Sequence, residues 1–287
     1  MSNYKETAVD WLFKGVFGAL ASNAPSRLIG RMADVRMPRP LLDMAIGAYC
    51  RAYGVAMDEV EVPPGGFKTF DDFFTRGLRP GARQVDLSYG VVVSPCDGRV
   101  QTVGFVERGL LLQAKGHKYE LDELTGEPGA CFEGGPFVTI YLSPRDYHRV
   151  HFPCDGELVR YHYVPGRLHT VAPRAARLVP RLFARNERIS VLGNTDSGQM
   201  ALVMVGATGV GRISLSCTEL RSNTGHCAEV RDMNPPLRFA RGEELGRFHL
   251  GSTVVVVFEK GEWSIKVQAG ATVRMGQAIL ERKKTTS

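Results

Sequence analysis

The chain has 287 residues, 44% of them hydrophobic and 23% charged, and carries a formal net charge of +6. That is ordinary for a globular protein able to bury a core, as one large domain or two small ones. No window approaches 18 uninterrupted apolar residues, and the N-terminus lacks a signal peptide's basic region, apolar block and cleavage site, so the expected location is the cytoplasm.

Cys50, Cys96, Cys131, Cys154, Cys217 and Cys227 form no C-x-x-C pair and no Cys/His zinc pattern, so neither a disulfide nor a structural metal is expected. The positive charge suits an anionic partner, a nucleic acid or an acidic membrane surface. Against nucleic acid, no helix-turn-helix, zinc finger or RNP-like run occurs, and the arginines are dispersed rather than interleaved with aromatics.

In chain order, Val9, Leu12, Phe13, Val16, Phe17 and Leu20 fall on one helix face over residues 9 to 20. Across the first 40 residues Lys5, Lys14, Arg27, Arg31, Arg36 and Arg39 outnumber Glu6, Asp10 and Asp34. An apolar face in basic surroundings is the pattern of a helix lying in a membrane interface. The pattern alone fits equally well a helix packed on its own domain or on a dimer partner. Pro38 and Pro40 interrupt it, and a second apolar segment runs from Leu41 to Tyr53. After the Pro63-Pro64-Gly65-Gly66 loop, Thr69 followed by Asp71 and Asp72 marks the start of a short helix carrying Phe70, Phe73 and Phe74.

From Gly90 the texture becomes short β-branched runs between Gly and Pro turns, among them Val91–Val93, Phe137–Tyr141, Met200–Val205 and Val254–Phe258. The expected fold is therefore α+β: a helical, membrane-associating segment over residues 1 to 85, then a mostly antiparallel β-sheet or barrel-like domain over 86 to 287. The stretch Gly206-Ala207-Thr208-Gly209-Val210-Gly211 is no nucleotide site, because its glycine order is wrong, no Lys-Ser/Thr follows and no βαβ unit surrounds it. Trp263, Ile265 and Val267 alternate as a strand.

The chemistry centres on Leu250-Gly251-Ser252-Thr253. A Ser hydroxyl can attack the carbonyl before it when that residue is Gly, which has no Cβ in the way and tolerates strained geometry. The amide becomes an ester. Removal of the Ser Cα proton then eliminates the ester, and loss of ammonia leaves a pyruvoyl group on the new N-terminus. An isolated Gly-Ser-Thr more often only opens a strand, so its context decides.

That context is Tyr141-Leu142-Ser143-Pro144-Arg145-Asp146-Tyr147-His148-Arg149-Val150-His151, Pro95-Cys96-Asp97-Gly98, Gln113-Ala114-Lys115-Gly116-His117 and Asn186-Glu187-Arg188. With Leu250–Thr253 these resemble the bacterial phosphatidylserine decarboxylases, from about Phe67 to Leu280. The resemblance implies self-cleavage between Gly251 and Ser252, with Ser252 as nucleophile, His151 as its base and Asp97 orienting His151. It implies that His148 acts in decarboxylation, as the acid that protonates the substrate carbon. It further implies chains of residues 1–251 and 252–287, a pyruvoyl cofactor derived from Ser252 that forms a Schiff base with phosphatidylserine, and phosphatidylethanolamine as product.

The expected setting is the cytoplasmic face of a membrane, peripheral, as a homodimer, with no metal and no nucleic acid. His148 and His151 lie in a strand or loop, where side chains three apart face opposite sides, so they make a poor metal pair. Residues 216 to 241 depart from the enterobacterial pattern, which puts head-group contacts or oligomer packing in question. Rival readings are a pyruvoyl decarboxylase of a soluble amino acid and an uncleaved lipid-binding homologue. A serine hydrolase is disfavoured by the lack of a G-x-S-x-G elbow.

Overall fold

The structure is a computed structural model that describes residues 29–114, 117–208, 212–249 and 252–283. The amphipathic helix expected over residues 9 to 20 lies outside the described residues, as does Gly251.

Helix α1, Arg39–Tyr53, begins with Pro40 in its first turn, where a missing N–H costs nothing. It stops at Gly54, whose φ of 71° lets its N–H close onto the Cys50 carbonyl. Leu42 and Ile46 are buried against Phe73, while Leu41 and Met44 face outward. Helix α2, Phe70–Phe74, is capped as the sequence suggests, Thr69 Oγ1 accepting the Asp72 N–H at 3.0 Å. Between the helices and just beyond them the chain adds a strand pair the sequence did not signal, Val60–Glu61 with Gly77–Leu78.

From Val91 onward the molecule is mostly antiparallel β. Eight strands form one open sheet in the order Glu229–Phe239, Gly156–Val164, Arg188–Thr195, Gly198–Gly206, Ser252–Phe258, Pro136–Leu142, Gly98–Phe105, Thr272–Val273. The expected antiparallel architecture is present, but the sheet does not close into a barrel. Its first strand is an edge and carries Pro235 and Pro236 at a register shift between Asp232 and Leu237, where a ladder can spare their N–H groups.

Ser252–Phe258 is buried along its whole length. Val254, Val256 and Phe258 enter one core, and Val255 and Val257 enter another on the opposite face. The unbroken apolar run of the sequence is thus a strand covered on both sides rather than half-wet. Each buried Val contributes roughly 1.5 to 3 kcal/mol. The first core is completed by Ile213, Phe248 and Val150 of a three-stranded sheet ordered Arg212–Leu215, Glu244–His249, Arg149–His151. The second core is roofed by Leu121, Leu124, Ala175, Ala176 and Phe183 from three short helices.

Gly98 sits where its strand crosses Pro136–Leu142 most closely: a Cβ there would lie 2.4 Å from the Tyr141 carbonyl oxygen and 2.8 Å from Ile140 Cγ2. Gly98→Ala in an uncleavable Ser252→Ala chain should therefore lower the urea midpoint, by about 2 kcal/mol or more of stability. An unchanged midpoint would mean that the two strands have room to separate.

Candidate active site

Ser252 opens the central strand, paired with Gly206 on one side and Leu142 on the other. Its side chain is wholly buried, and Oγ has no hydrogen-bond partner among the described residues. Strand alternation puts it on the face of Val254 and Val256, toward the three-stranded sheet that carries Arg149–His151. A buried hydroxyl left unpaired costs about 1 to 3 kcal/mol, a cost that a purely structural residue would ordinarily have lost.

The Asn186-Glu187-Arg188 motif holds the strand beside it. Asn186 Nδ2 donates to the Gly206 carbonyl at 2.8 Å, and Gly206 N–H donates to the Glu187 carbonyl at 2.9 Å. The buried Arg188 guanidinium donates to the carbonyls of Glu123, Leu124, Ala184 and Asn186, and so ties two short helices to the same end of the sheet.

His148 and His151 follow a tight turn. Asp146 Oδ2 accepts both the N–H and the hydroxyl of Ser143 at 2.6 Å. Arg76, almost wholly buried, donates to the carbonyls of Arg145 and Asp146 at 2.8 and 3.0 Å. His148 Nδ1 lies 2.8 Å from the Asp146 carbonyl, which fixes the proton on Nδ1 and leaves the buried Nε2 lone pair with no partner among the described residues. Burial, only partly opposed by that hydrogen bond, pushes the His148 pKa down to about 3. Its ring centroid is 4.1 Å from that of Phe74.

His151 is engaged at both nitrogens: Nδ1 donates to the Gly242 carbonyl at 2.8 Å, and Nε2 accepts from the Tyr147 hydroxyl at 3.0 Å. Burial lowers its pKa as well.

Asp97 is held elsewhere. Arg83 grips both its oxygens, Nε at 2.9 Å and Nη2 at 2.5 Å, while Met275 N–H donates to Oδ1 at 2.8 Å. Arg83 also reaches Glu59 at 2.8 Å. Asp97 and His151 share no hydrogen bond. The Asp97 charge acts on His151 through space, favouring its protonated form. The motifs nonetheless converge, because His151 N–H donates to the Pro95 carbonyl at 2.7 Å and Phe248 N–H to the His148 carbonyl at 2.9 Å.

A hydrogen-bonded Asp-His-Ser chain does occur, in residues the sequence reading did not select. His249 Nδ1 lies 2.8 and 3.0 Å from the Asp71 oxygens, and its Nε2 lies 3.0 Å from Ser214 Oγ. The only sequence signal for it was a histidine three residues before Ser252. Its partners come from far along the chain, and nothing local points to them.

Fold and site together define a mostly antiparallel β-sheet protein with a buried serine at the head of its central strand. Residues 70–281 match the phosphatidylserine decarboxylase family model. The chain is 42% identical over 274 residues to the phosphatidylserine decarboxylase proenzyme of Myxococcus xanthus, covering 94% of this chain and 98% of that one. It is 44% identical to those of Bordetella pertussis, over 88% of this chain and 89% of that one, and Ectopseudomonas mendocina, over 88% and 92%. The chain belongs to the phosphatidylserine decarboxylase family and is a carboxy-lyase.

Both histidines have pKa values depressed in the folded protein, so the unfolded chain binds protons first as pH falls. Their contribution to stability is fully present above about pH 6.5, the unfolded value, and is lost as pH drops toward the folded values. Thermal melts of a Ser252→Ala chain should fall through that window, and adding His148→Gln should flatten the decline. Equal slopes with and without His148 would show that it is not held neutral by burial.

Proposed function

We propose that this protein converts phosphatidylserine to phosphatidylethanolamine and CO₂ with a pyruvoyl group made from its own Ser252 by scission of the Gly251–Ser252 bond. The observation that carries this reading is the Ser252 hydroxyl, buried and without a partner among the described residues at the head of the central strand, inside the Leu250–Thr253 motif. The surroundings suit the product of such a conversion. Exchanging a hydroxyl and an amine for a neutral keto group forfeits no side-chain hydrogen bond here, and the neighbours on that face are apolar. When formed, the group supplies a carbonyl that captures the substrate amine and draws electrons from the carbon losing CO₂.

The chain's own residues provide the proton traffic. For scission, His151 takes the Ser252 proton once its Nε2 exchanges the Tyr147 hydroxyl for that of Ser252, and Asp97 favours the resulting imidazolium through space. For decarboxylation, the free Nε2 of His148 is the proton carrier. A phosphate-bearing substrate beside that ring raises its proton affinity, so His148 becomes an acid only when the substrate is bound.

The same reading places the protein at the cytoplasmic face of a membrane, as the homodimer expected from the sequence. Leu41 and Met44 of α1 are 51% and 63% exposed, and Met32 and Val35 are also exposed, near exposed Arg31, Arg36 and Arg39. An apolar face ringed by arginines suits an anionic bilayer.

The direct test is the intact mass of purified protein beside Ser252→Ala. Wild type should give two chains meeting at Gly251/Ser252, the smaller lighter by one ammonia than the plain peptide, together with release of CO₂ from phosphatidylserine. A folded wild-type chain that stays whole would sink the reading. A second expectation concerns the helix: Leu41→Glu with Met44→Glu should cut activity on anionic vesicles by roughly tenfold or more, through lost burial and added repulsion, while sparing activity on a short-chain soluble analogue. Equal losses on both substrates would remove α1 from the membrane contact.

A further inference from the structure

The proposed scission needs the Ser252 hydroxyl and the carbonyl before it to stay in register, and the structure fastens the chain on both sides of that bond. Downstream, Ser252 is fixed by its pairing with Gly206 and Leu142. Upstream, His249 is the last residue of its strand and pairs with Arg212. Backbone pairing alone would leave a strand end free to fray. The His249 side chain is instead pinned at both ring nitrogens, Nδ1–H to the Asp71 carboxylate of helix α2 and Nε2 to the Ser214 hydroxyl one strand over.

Asp71 is itself held. Arg212 Nη2 approaches Asp71 at 3.6 Å, and the same guanidinium makes a two-pronged pair with Asp34 at 2.6 and 2.7 Å. His249 and Asp71 are both largely withdrawn from solvent, so their hydrogen bonds are made where water competes poorly.

We infer that His249, clamped between Asp71 and Ser214, is a positioning residue for self-cleavage that fixes the chain immediately ahead of the scissile bond. Only two residues separate it from Ser252. Since an extended chain reaches at most about 3.3 to 3.6 Å per residue, releasing His249 lengthens the tether between Ser252 and the nearest point fixed upstream of it. Holding reacting atoms near their attack geometry is worth orders of magnitude in rate, and a displacement of about 1 Å can cost about a hundredfold. The clamp's partner lies in α2, so scission reaches its full rate only when the N-terminal helical segment has docked on the β-sheets. A chain whose helices are not in place leaves His249 without Asp71 and cuts itself more slowly. The proposal rests on the pyruvoyl reading above but concerns the rate of maturation rather than the chemistry of the mature enzyme.

The test follows splitting of the freshly synthesised full-length chain over time by intact mass, in wild type, His249→Ala, Asp71→Asn and His249→Asn. The asparagine keeps an N–H donor where Nδ1 stood. His249→Ala and Asp71→Asn should each split at least about tenfold more slowly, the double variant no more slowly than the worse single one, because both break one link. His249→Asn should recover to within about threefold of wild type. Chains that do split should decarboxylate with wild-type kcat, a result that a general loss of folding would not give.

The inference is overturned if His249→Ala splits at the wild-type rate, if His249→Asn is as slow as His249→Ala, or if kcat per split chain falls along with the splitting rate. Failure of wild type itself to split would instead overturn the pyruvoyl reading.

Discussion

Burial of one strand on both of its faces organises this molecule. Ser252–Phe258 is hydrogen-bonded on either side, to Gly198–Gly206 and to Pro136–Leu142, and its side chains alternate into two separate cores. Neither core is complete without it. The position of Ser252 is therefore determined by a large fraction of the protein's apolar contacts rather than by any local interaction. A serine placed at the head of such a strand can keep an unpaired hydroxyl because the remaining residues of the strand, from Thr253 to Phe258, leave it no alternative conformation.

The two histidines to which the resemblance assigns different roles are given different characters by their hydrogen bonds. Both present Nδ1–H to a backbone carbonyl, which leaves Nε2 as the basic atom in each. In His151 that atom is occupied by Tyr147, whereas in His148 it has no partner among the described residues and is buried. Burial alone makes both poor bases. In the proposed mechanism each would be activated by a different event: departure of a hydroxyl for His151, arrival of an anion for His148. The buried Arg76 contributes to both effects, since it fixes the turn from which the histidines hang and adds a positive charge near His148 that disfavours its protonation.

What the sequence disclosed and what it hid divide along contact range. The Thr69 cap, the apolar segment running to Tyr53 and the apolar strand are local patterns, legible because a few neighbouring residues determine them. The Asn186-Glu187-Arg188 motif was visible as a string but silent about its purpose, which is to brace Gly206 opposite Ser252. Asp97 was readable as a likeness, yet its grip by Arg83 and, through Arg83, its link to Glu59 depend on how the N-terminal segment lies on the sheet. Asp71 and His249 stand 178 residues apart, and no periodicity connects them. The sequence left an open sheet and a barrel side by side for a related reason: alternation reports which face is buried, and whether the first and last strands of the eight meet depends on twist and stagger that the pattern does not carry.

A protein that cuts its own chain must keep the pieces together, and the topology explains how this one would. The segment after Ser252 supplies the central strand, the edge strand Thr272–Val273 and the strands Trp263–Ile265 and Ala278–Arg282, the last of which pairs with Val91–Val93. Every one of these is paired with residues ahead of the cut, directly or through its neighbour. The small chain is thus woven between partners at several places, and its core residues Val254 to Phe258, Ile279 and Leu280 are wholly buried. Each costs roughly 1.5 to 3 kcal/mol to expose, so their sum outweighs the chain entropy released at a single break. Scission at the head of this buried strand would therefore free a new terminus for chemistry while leaving the fold that positions it intact.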